Sequence, residues 1–74
     1  MNLKSIFAEV FAIPKESVTE TLALRDIRSW DSMSHMILIA RLEETFDVQF
    51  TGDEIADFRT FDDVARALER HKLK

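Results

Sequence analysis

The spacing of the apolar residues constrains this chain more than any other feature of its sequence. Apolar side chains recur at intervals of three and four in the N-terminal, middle and C-terminal parts, as on one face of an α-helix. The N-terminal set comprises Leu3, Ile6, Phe7, Val10 and Phe11. No segment alternates apolar and polar residues for long enough to predict a β-strand. The spacing therefore predicts an all-α fold.

Residues that favour helix ends bound the predicted helices. Asn2 is the expected N-cap of the first helix, which should end near Ala12 because Pro14 disfavours helical geometry in the residue before it. Thr51-Gly-Asp-Glu54 and Thr60-Phe-Asp-Asp63 have the spacing of capping boxes and predict a short third helix and a final helix. The last four residues, 71–74, are expected to fray.

Chain length and composition limit the architecture and the function. With 74 residues, the chain is predicted to form one domain, 1–74. It should fold as a small four-helix bundle of three main helices and one short helix, with a long loop over 14–30. We expect at most one turn in that loop, at 17–20. Long irregular loops in compact domains are usually functional.

Charge and residue usage argue against several classes of protein. There is no cysteine, so neither a disulfide nor a thiolate zinc site stabilises the chain. A net charge of −4 disfavours nucleic-acid binding, which needs clustered lysine and arginine. The chain has no apolar run of about 18 residues and its N-terminus does not resemble a signal peptide. We therefore expect a cytoplasmic protein that does not contact the membrane.

A serine stands at the start of the second predicted helix. Asp31 is the expected N-cap and Ser32 the first helical residue, where unpaired backbone N–H groups and the helix dipole favour an anion. A phosphate attached to Ser32 would therefore be stabilised. Helix capping alone also accounts for an aspartate and a serine at this point.

The second helix carries more apolar residues than one buried face requires. Its core side is predicted to hold His35, Leu38, Ile39, Leu42 and Phe46. Its opposite side carries Met33, Met36, Ile37 and Ala40, followed by Glu43 and Glu44. Because a polar surface is usual there, the surplus predicts a partner-docking face, with coverage by another helix as the alternative.

Four polar or aromatic residues near the serine have simpler interpretations. His35 lacks an acidic or thiol partner in the local sequence and is predicted to be a packed histidine rather than a catalytic base or metal ligand. Trp30 is expected to anchor the loop to the bundle, with lining of the approach to Ser32 as the alternative. Arg25 and Arg28 are interpreted as surface charges, with contact to a phosphate as the alternative.

These segments together resemble the acyl carrier protein family over essentially the whole chain. The matching features are Asp31-Ser-Met33, the helix end Leu42-Glu-Glu-Thr-Phe46, Thr51-Gly-Asp-Glu-Ile and Thr60-Phe-Asp-Asp-Val. Trp30, directly before the motif, is similar to the residue in D-alanyl carrier proteins and in carriers of secondary-metabolite or surface-polysaccharide pathways.

The resemblance implies a carrier without catalytic activity of its own. A phosphopantetheinyl transferase would attach 4′-phosphopantetheine from coenzyme A to Ser32, with Asp31 helping to engage the transferase and its magnesium. An acyl- or aminoacyl-loading ligase would then charge the thiol, and downstream transferases or synthases would receive the thioester. We expect a monomeric carrier. The positions that match partner-facing residues are Met33, Met36, Ile37, Ala40 and Glu44.

Departures from the family pattern favour a specialised pathway over bulk fatty-acid synthesis. Ser34 and Ile37 stand where fatty-acid carriers usually have acids, so apolar contact should contribute more of the partner affinity than charge does. Bulky aromatic residues leave little room in the bundle for a long acyl chain, which predicts a short or polar cargo. These residues are Phe7, Phe11, Phe46, Phe50 and Phe61.

Three other classes of function are alternatives to the carrier. An unmodified helical interaction module would use the same Met-rich face to bind one protein partner. A serine hydrolase would need a G-x-S-x-G turn and an oxyanion loop, whereas this chain has one glycine. A metal enzyme would need a ligand cluster that the sequence does not suggest.

Overall fold

A computed structural model describes residues 2–72 and contains four α-helices there. Helix α1 is Leu3–Phe11, α2 is Ser32–Phe46, α3 is Gly52–Asp57 and α4 is Phe61–Lys72. The described residues form no β-strand, and their only β-type pairing is one isolated bridge between Ala23 and Thr60. The predicted all-α bundle of three main helices and one short helix is confirmed. The fraying predicted for residues 71–74 is wrong for His71 and Lys72, which lie in α4; residues 73 and 74 lie outside the described range.

Side-chain caps start the helices where the sequence predicted. The Asn2 side-chain oxygen accepts a 2.9 Å hydrogen bond from the Ser5 N–H. Thr51 and Glu54 exchange the two bonds of a capping box at 3.0 and 3.1 Å. At the start of α4, Thr60 exchanges the same pair of bonds with the side chain and backbone of Asp63, at 3.1 and 3.2 Å. Each cap satisfies backbone donors that the helix itself leaves unpaired.

Two helices end in left-handed backbone. Ala12 after α1 and Asp47 after α2 both have φ of 54°, and their N–H groups donate to carbonyls four residues earlier. The following residues, Ile13 and Val48, donate to carbonyls five residues earlier and are half-buried. This arrangement closes the exposed helix ends and turns the chain back toward the core.

The long loop contains two short turns rather than one. The prediction of a single turn at 17–20 is wrong: 3₁₀ turns lie at Lys15–Ser17 and Leu24–Asp26. The first begins directly after Pro14, whose carbonyl accepts a 2.9 Å bond from the Ser17 N–H. Fixed proline geometry therefore places the turn earlier than the sequence pattern suggested.

Backbone hydrogen bonds hold this loop against the connection between α3 and α4. The Leu24 N–H donates to the Arg59 carbonyl at 2.8 Å, and the Phe61 N–H donates to the Leu22 carbonyl at 2.9 Å. Ala23 and Thr60 form an antiparallel bridge. These contacts fix the loop relative to the second half of the chain.

All four helical segments and the loop contribute to one hydrophobic core. The loop supplies Val18, Leu24 and Ile27, which are buried. The Phe7 ring lies edge-on to the Phe61 ring with centroids 4.9 Å apart, which joins α1 to α4. The radius of gyration, 11.3 Å, matches the value of about 11 Å expected for a compact domain of this length. The buried apolar residues are Ile6, Phe7, Phe11, Val18, Leu24, Ile27, Leu38, Ile39, Leu42, Phe50, Phe58, Phe61, Val64, Ala67 and Leu68.

Between residues 2 and 72, no helix has the length and apolar character required to cross a bilayer.

Candidate functional site

Ser32 is the first residue of α2, and its side chain is exposed. Its hydroxyl makes no hydrogen bond with any residue of the described chain. The helix that follows is 15 residues long, so its N-terminus carries the partial positive charge of an extended run of peptide dipoles. The predicted position of Ser32 at the helix start is confirmed.

The cap of α2 is formed by the residues on either side of Ser32. The Asp31 carboxylate accepts a 2.7 Å bond from the Ser34 N–H, and the Ser34 hydroxyl accepts a 2.9 Å bond from the Asp31 N–H. The same hydroxyl reaches the carbonyls of Asp31 and Ser29 at 3.1 and 3.3 Å. Hydrogen bonding, chiefly from the Ser34 N–H, lowers the pKa of Asp31 below its usual value. The carboxylate beside Ser32 is therefore ionised and fixed in place.

The sequence predicted Asp31 as the N-cap and did not predict the role of Ser34. The usual capping-box signature has Glu or Gln three residues after the cap, whereas this chain has Ser34 there. The spacing of Asp31 and Ser34, three residues apart, was the sequence signal that could have predicted this capping box.

His35 links the loop, α2 and α3. The Trp30 indole N–H donates to His35 Nδ1 at 3.2 Å, and His35 Nε2 lies 3.1 Å from the Ile55 carbonyl oxygen. An indole N–H only donates and a carbonyl only accepts, so these contacts select the neutral ring with its proton on Nε2. His35 is thus a packed, fully paired histidine, and Trp30 anchors the loop, as predicted. No cluster of three potential metal ligands occurs in residues 2–72.

The outer side of α2 is apolar and uncovered. Met33 is 73% exposed, Met36 52% and Ile37 50%, and Ala40 and Glu44 are also exposed. The alternative in which another helix covers these residues is wrong for the described chain. We call Met33, Met36, Ile37 and Ala40 the outer face.

The inner side of α2 holds most of the residues predicted for it. Leu38, Ile39 and Leu42 are buried, whereas Phe46 is only half-buried because it lies at the end of the helix, beside a surface groove. Glu43 was grouped with the solvent side, yet its carboxylate accepts a 2.9 Å bond from the Phe50 N–H. That bond closes the turn after α2 and gives Glu43 a structural role.

A groove of about 640 Å³ lies between the long loop, the start of α2 and α3. We call it the α3 groove. Two further surface depressions have volumes of about 500 and 300 Å³. It is lined by Ala23, Leu24, Arg25, Trp30, His35, Gly52, Ile55, Ala56, Phe58, Arg59 and Thr60.

Comparison with known proteins gives a consistent result. The family described as "Phosphopantetheine attachment site" matches residues 2–68. An acyl carrier protein of Lactobacillus acidophilus is 25% identical over 71 residues, which cover 96% of this chain and 89% of the relative.

Two solved structures are similar in fold and sequence. The solution structure of a holo acyl carrier protein from Geobacter metallireducens superposes with a TM-score of 0.86 at 31% identity, covering 96% of this chain and 82% of that one. A holo acyl carrier protein from Nitrosomonas europaea gives 0.78 at 32% identity, with 96% and 90% covered.

Proposed function

Because this chain belongs to the acyl carrier protein family of phosphopantetheine attachment domains, we propose that Ser32 is the residue that carries its 4′-phosphopantetheine group. Members of this family carry cargo and do not catalyse reactions, so the chain is a carrier and not an enzyme. The observation that carries the assignment is the exposed, unbonded Ser32 hydroxyl at the N-terminus of α2.

The residues at this helix start fit the group. An esterified phosphate on Ser32 would lie where the first turn of α2 has unpaired N–H groups and positive dipole charge. No neighbouring side chain competes for the hydroxyl, because Asp31 and Ser34 bind each other. When bound, the group supplies a terminal thiol on a long flexible arm, on which carriers hold acyl or aminoacyl cargo as a thioester.

Asp31 is the second residue of the proposed site. Its carboxylate directs one oxygen to the Ser34 N–H and remains solvent-exposed next to Ser32. An ionised oxygen ligand at that place suits the magnesium ion of a phosphopantetheinyl transferase. We assign Asp31 to the recognition of the transferase and its metal.

The outer face is the proposed docking surface for partner enzymes. These comprise the transferase, an acyl- or aminoacyl-loading ligase and downstream transferases or synthases. Met33, Met36, Ile37 and Ala40 offer apolar contact, and exposed Glu44 adds a charge at its edge. The apolar character supports a specialised secondary-metabolite or surface-polymer pathway over bulk fatty-acid synthesis. We propose a monomeric carrier that acts in the cytoplasm.

Intact-protein mass spectrometry tests the assignment of Ser32. Incubation with coenzyme A and a broad-specificity phosphopantetheinyl transferase should add the mass of one phosphopantetheine to the wild type. Ser32→Ala should abolish the gain, because the attacking hydroxyl is lost. Ser17→Ala, at another exposed serine, is the matched control and should be modified normally.

Two results would contradict the assignment. One is an unchanged mass for folded wild type with a transferase that modifies a known carrier in the same tube. The other is normal modification of Ser32→Ala. Unmodified protein that still binds a partner through the outer face would support the interaction module.

A further inference from the structure

Two arginines of the α3 groove lack a counter-charge. Arg25 and Arg59 line the groove, and neither forms an ion pair with a described residue. By contrast, Arg66 lies 2.8 Å from the Asp62 carboxylate and Arg70 lies 3.7 Å from that of Glu54. The groove lining contains no aspartate or glutamate. In a chain of net charge −4, the residues that line this groove therefore include two arginines and no acid.

The fold brings together the two backbone segments that carry these arginines. The Leu24 N–H donates to the Arg59 carbonyl at 2.8 Å, and the adjacent Ala23 and Thr60 form a backbone bridge. Arg25 therefore projects from a segment hydrogen-bonded to the segment that carries Arg59. Their placement depends on backbone pairing and not on a mobile loop.

The rest of the groove is suited to a short chain of methylene groups in a ligand. Leu24 and Phe58 are buried beneath it, and Ile55 is half-buried on the α3 side. Both ring nitrogens of His35 are occupied, by the Trp30 indole and by the Ile55 carbonyl. An apolar floor with two guanidinium groups matches a ligand of methylene groups that ends in an anion.

The groove opens beside the proposed attachment residue. Trp30, two residues before Ser32, and His35, three residues after it, also line the groove. Cargo tethered at Ser32 would reach this groove without leaving the protein. A tether of this kind keeps a weakly binding group at a local concentration of roughly millimolar.

We propose that the α3 groove holds the distal end of an acyl cargo that bears a carboxylate, which pairs with Arg25 and Arg59. This inference rests on the proposed function and narrows its cargo from acyl or aminoacyl to the monothioester of a dicarboxylic acid. An aminoacyl cargo would place its ammonium group next to two cations, which repel it. Arginine suits the carboxylate because its planar fork donates two parallel hydrogen bonds.

The test compares cargoes that differ only in their end group. Wild-type protein is loaded by the transferase with hydrolysis-resistant amide analogues of coenzyme A that carry glutaryl, 5-methylhexanoyl or 4-aminobutanoyl groups. The first two are close in shape, and only glutaryl is anionic. The readout is the ¹⁵N–¹H shift of the Leu24, Ile55 and Thr60 amides and of the Arg25 and Arg59 Nε–H groups, relative to protein with the unloaded arm.

We expect glutaryl to give the largest shifts at these five signals. The Arg25→Gln/Arg59→Gln double variant lacks the two arginine signals, and it should reduce the glutaryl shifts of the Leu24, Ile55 and Thr60 amides roughly four-fold, because each exposed ion pair that is lost contributes about two-fold. Arg28→Gln, which removes a loop arginine outside the groove, is the matched control and should preserve them. In the wild type, raising NaCl to about 0.5 M should reduce the glutaryl shifts and leave the 5-methylhexanoyl shifts unchanged.

Three outcomes would overturn the inference. The first is equal shifts from glutaryl and 5-methylhexanoyl. The second is glutaryl shifts that stay unchanged in the folded double variant or in high salt. The third is that attachment of the unloaded arm already shifts the arginine signals and that adding the glutaryl group does not increase those shifts. The last would assign the arginines to the arm itself. The mass of every sample shows whether the arm is on Ser32. Failure to attach it contradicts the proposed function, whereas attachment without carboxylate-dependent shifts contradicts only this inference.

Discussion

At the scale of single residues, the Ser32 hydroxyl is free for modification because Asp31 and Ser34, and not Ser32, cap helix α2. Asp31 and Ser34 exchange side-chain to backbone hydrogen bonds with each other, so the hydroxyl between them remains exposed and unbonded. A serine that capped its own helix would have its oxygen occupied by a backbone donor. Separating the cap from the proposed attachment point allows Ser32 to change without loss of the fold.

A substitution of Asp31 can separate its proposed role as a negative charge for the transferase from its role as the N-cap of α2. Asp31→Asn keeps a side-chain oxygen that can cap α2, because asparagine is as good an N-cap as aspartate. It removes the ionised oxygen proposed to engage the transferase and magnesium. We expect kcat/KM for phosphopantetheine transfer to fall roughly ten-fold or more, with the circular dichroism spectrum unchanged. Asp26→Asn, in the preceding loop, is the control, and equal rates for both variants would exclude the proposed role.

At the scale of elements, α3 is held to the end of α4 by Glu54. Its carboxylate accepts the Thr51 N–H at 3.0 Å and lies 3.1 Å from His71 Nε2, with Arg70 at 3.7 Å. The His71 ring also lies edge-on to Phe50, at a centroid distance of 5.3 Å. A helix of six residues has little stability alone, so these contacts support α3.

The Glu54 contacts predict how stability depends on pH. The Thr51 N–H, followed by His71, lowers the pKa of Glu54 below its ordinary value of 4.5. Its stabilisation is therefore complete above that value and is lost as the pH falls through the lower folded-state pKa. Glu54→Gln should lower the free energy of unfolding by about 1 kcal/mol at neutral pH. The difference from wild type should shrink at about pH 3.

Urea unfolding at the two pH values measures the effect. Glu69→Gln, at an exposed glutamate on α4, is the matched control. A Glu54→Gln difference of the same size at both pH values would show that ionisation of Glu54 does not stabilise the fold.

The outer face of α2 provides a second prediction at this scale. Ile37→Gln removes apolar contact area from an exposed position without opening the core. If partners dock there, kcat/KM for phosphopantetheine transfer or for cargo loading should fall roughly ten-fold. The free energy of unfolding should stay within about 0.5 kcal/mol of the wild-type value. Lys4→Gln, on exposed α1 surface, is the control. A normal rate for Ile37→Gln together with a slow rate for Lys4→Gln would place the docking surface elsewhere.

Local signals in the sequence predicted these elements well, and non-local contacts were missed. The caps at Asn2, Thr51 and Thr60 depend on residues within one helical turn, so the local amino-acid sequence was sufficient to predict them. The pairing of Leu24 with Arg59 joins residues distant in sequence and has no local pattern. The α3 groove depends on that pairing. Arg25 therefore looked like surface charge until the fold placed it beside Arg59.

At the scale of the whole molecule, the core is filled with side chains. Phe7 and Phe11 are 0% and 1% exposed, and neither lines any of the three surface depressions described above. Leu38 and Leu42 complete this packing from α2. A ligand that enters the core must displace side chains, which close-packed interiors resist. The space available to cargo lies at the surface instead.

This packing predicts that a long alkyl cargo gives little protection. Loading a dodecanoyl amide arm should raise the melting temperature by less than about 2 °C, because a group that does not bind the folded core adds no stability. Its terminal methyl should be broadened by a soluble paramagnetic agent in NMR spectra. A butanoyl arm serves as the control. A methyl shielded from the agent, with a markedly higher melting temperature, would contradict the prediction of short or polar cargo.

The two exposed thioethers of α2 also make the carrier sensitive to oxidants in a selective way. Met33 and Met36 project into solvent and support no core packing, so their sulfur atoms are open to peroxide. Conversion to sulfoxide turns apolar groups into polar ones. The helix would survive that change, while the surface proposed to receive enzymes would lose its affinity for them. Oxidative stress would thus uncouple the protein from its pathway without unfolding it, and methionine sulfoxide reductases would reverse the effect.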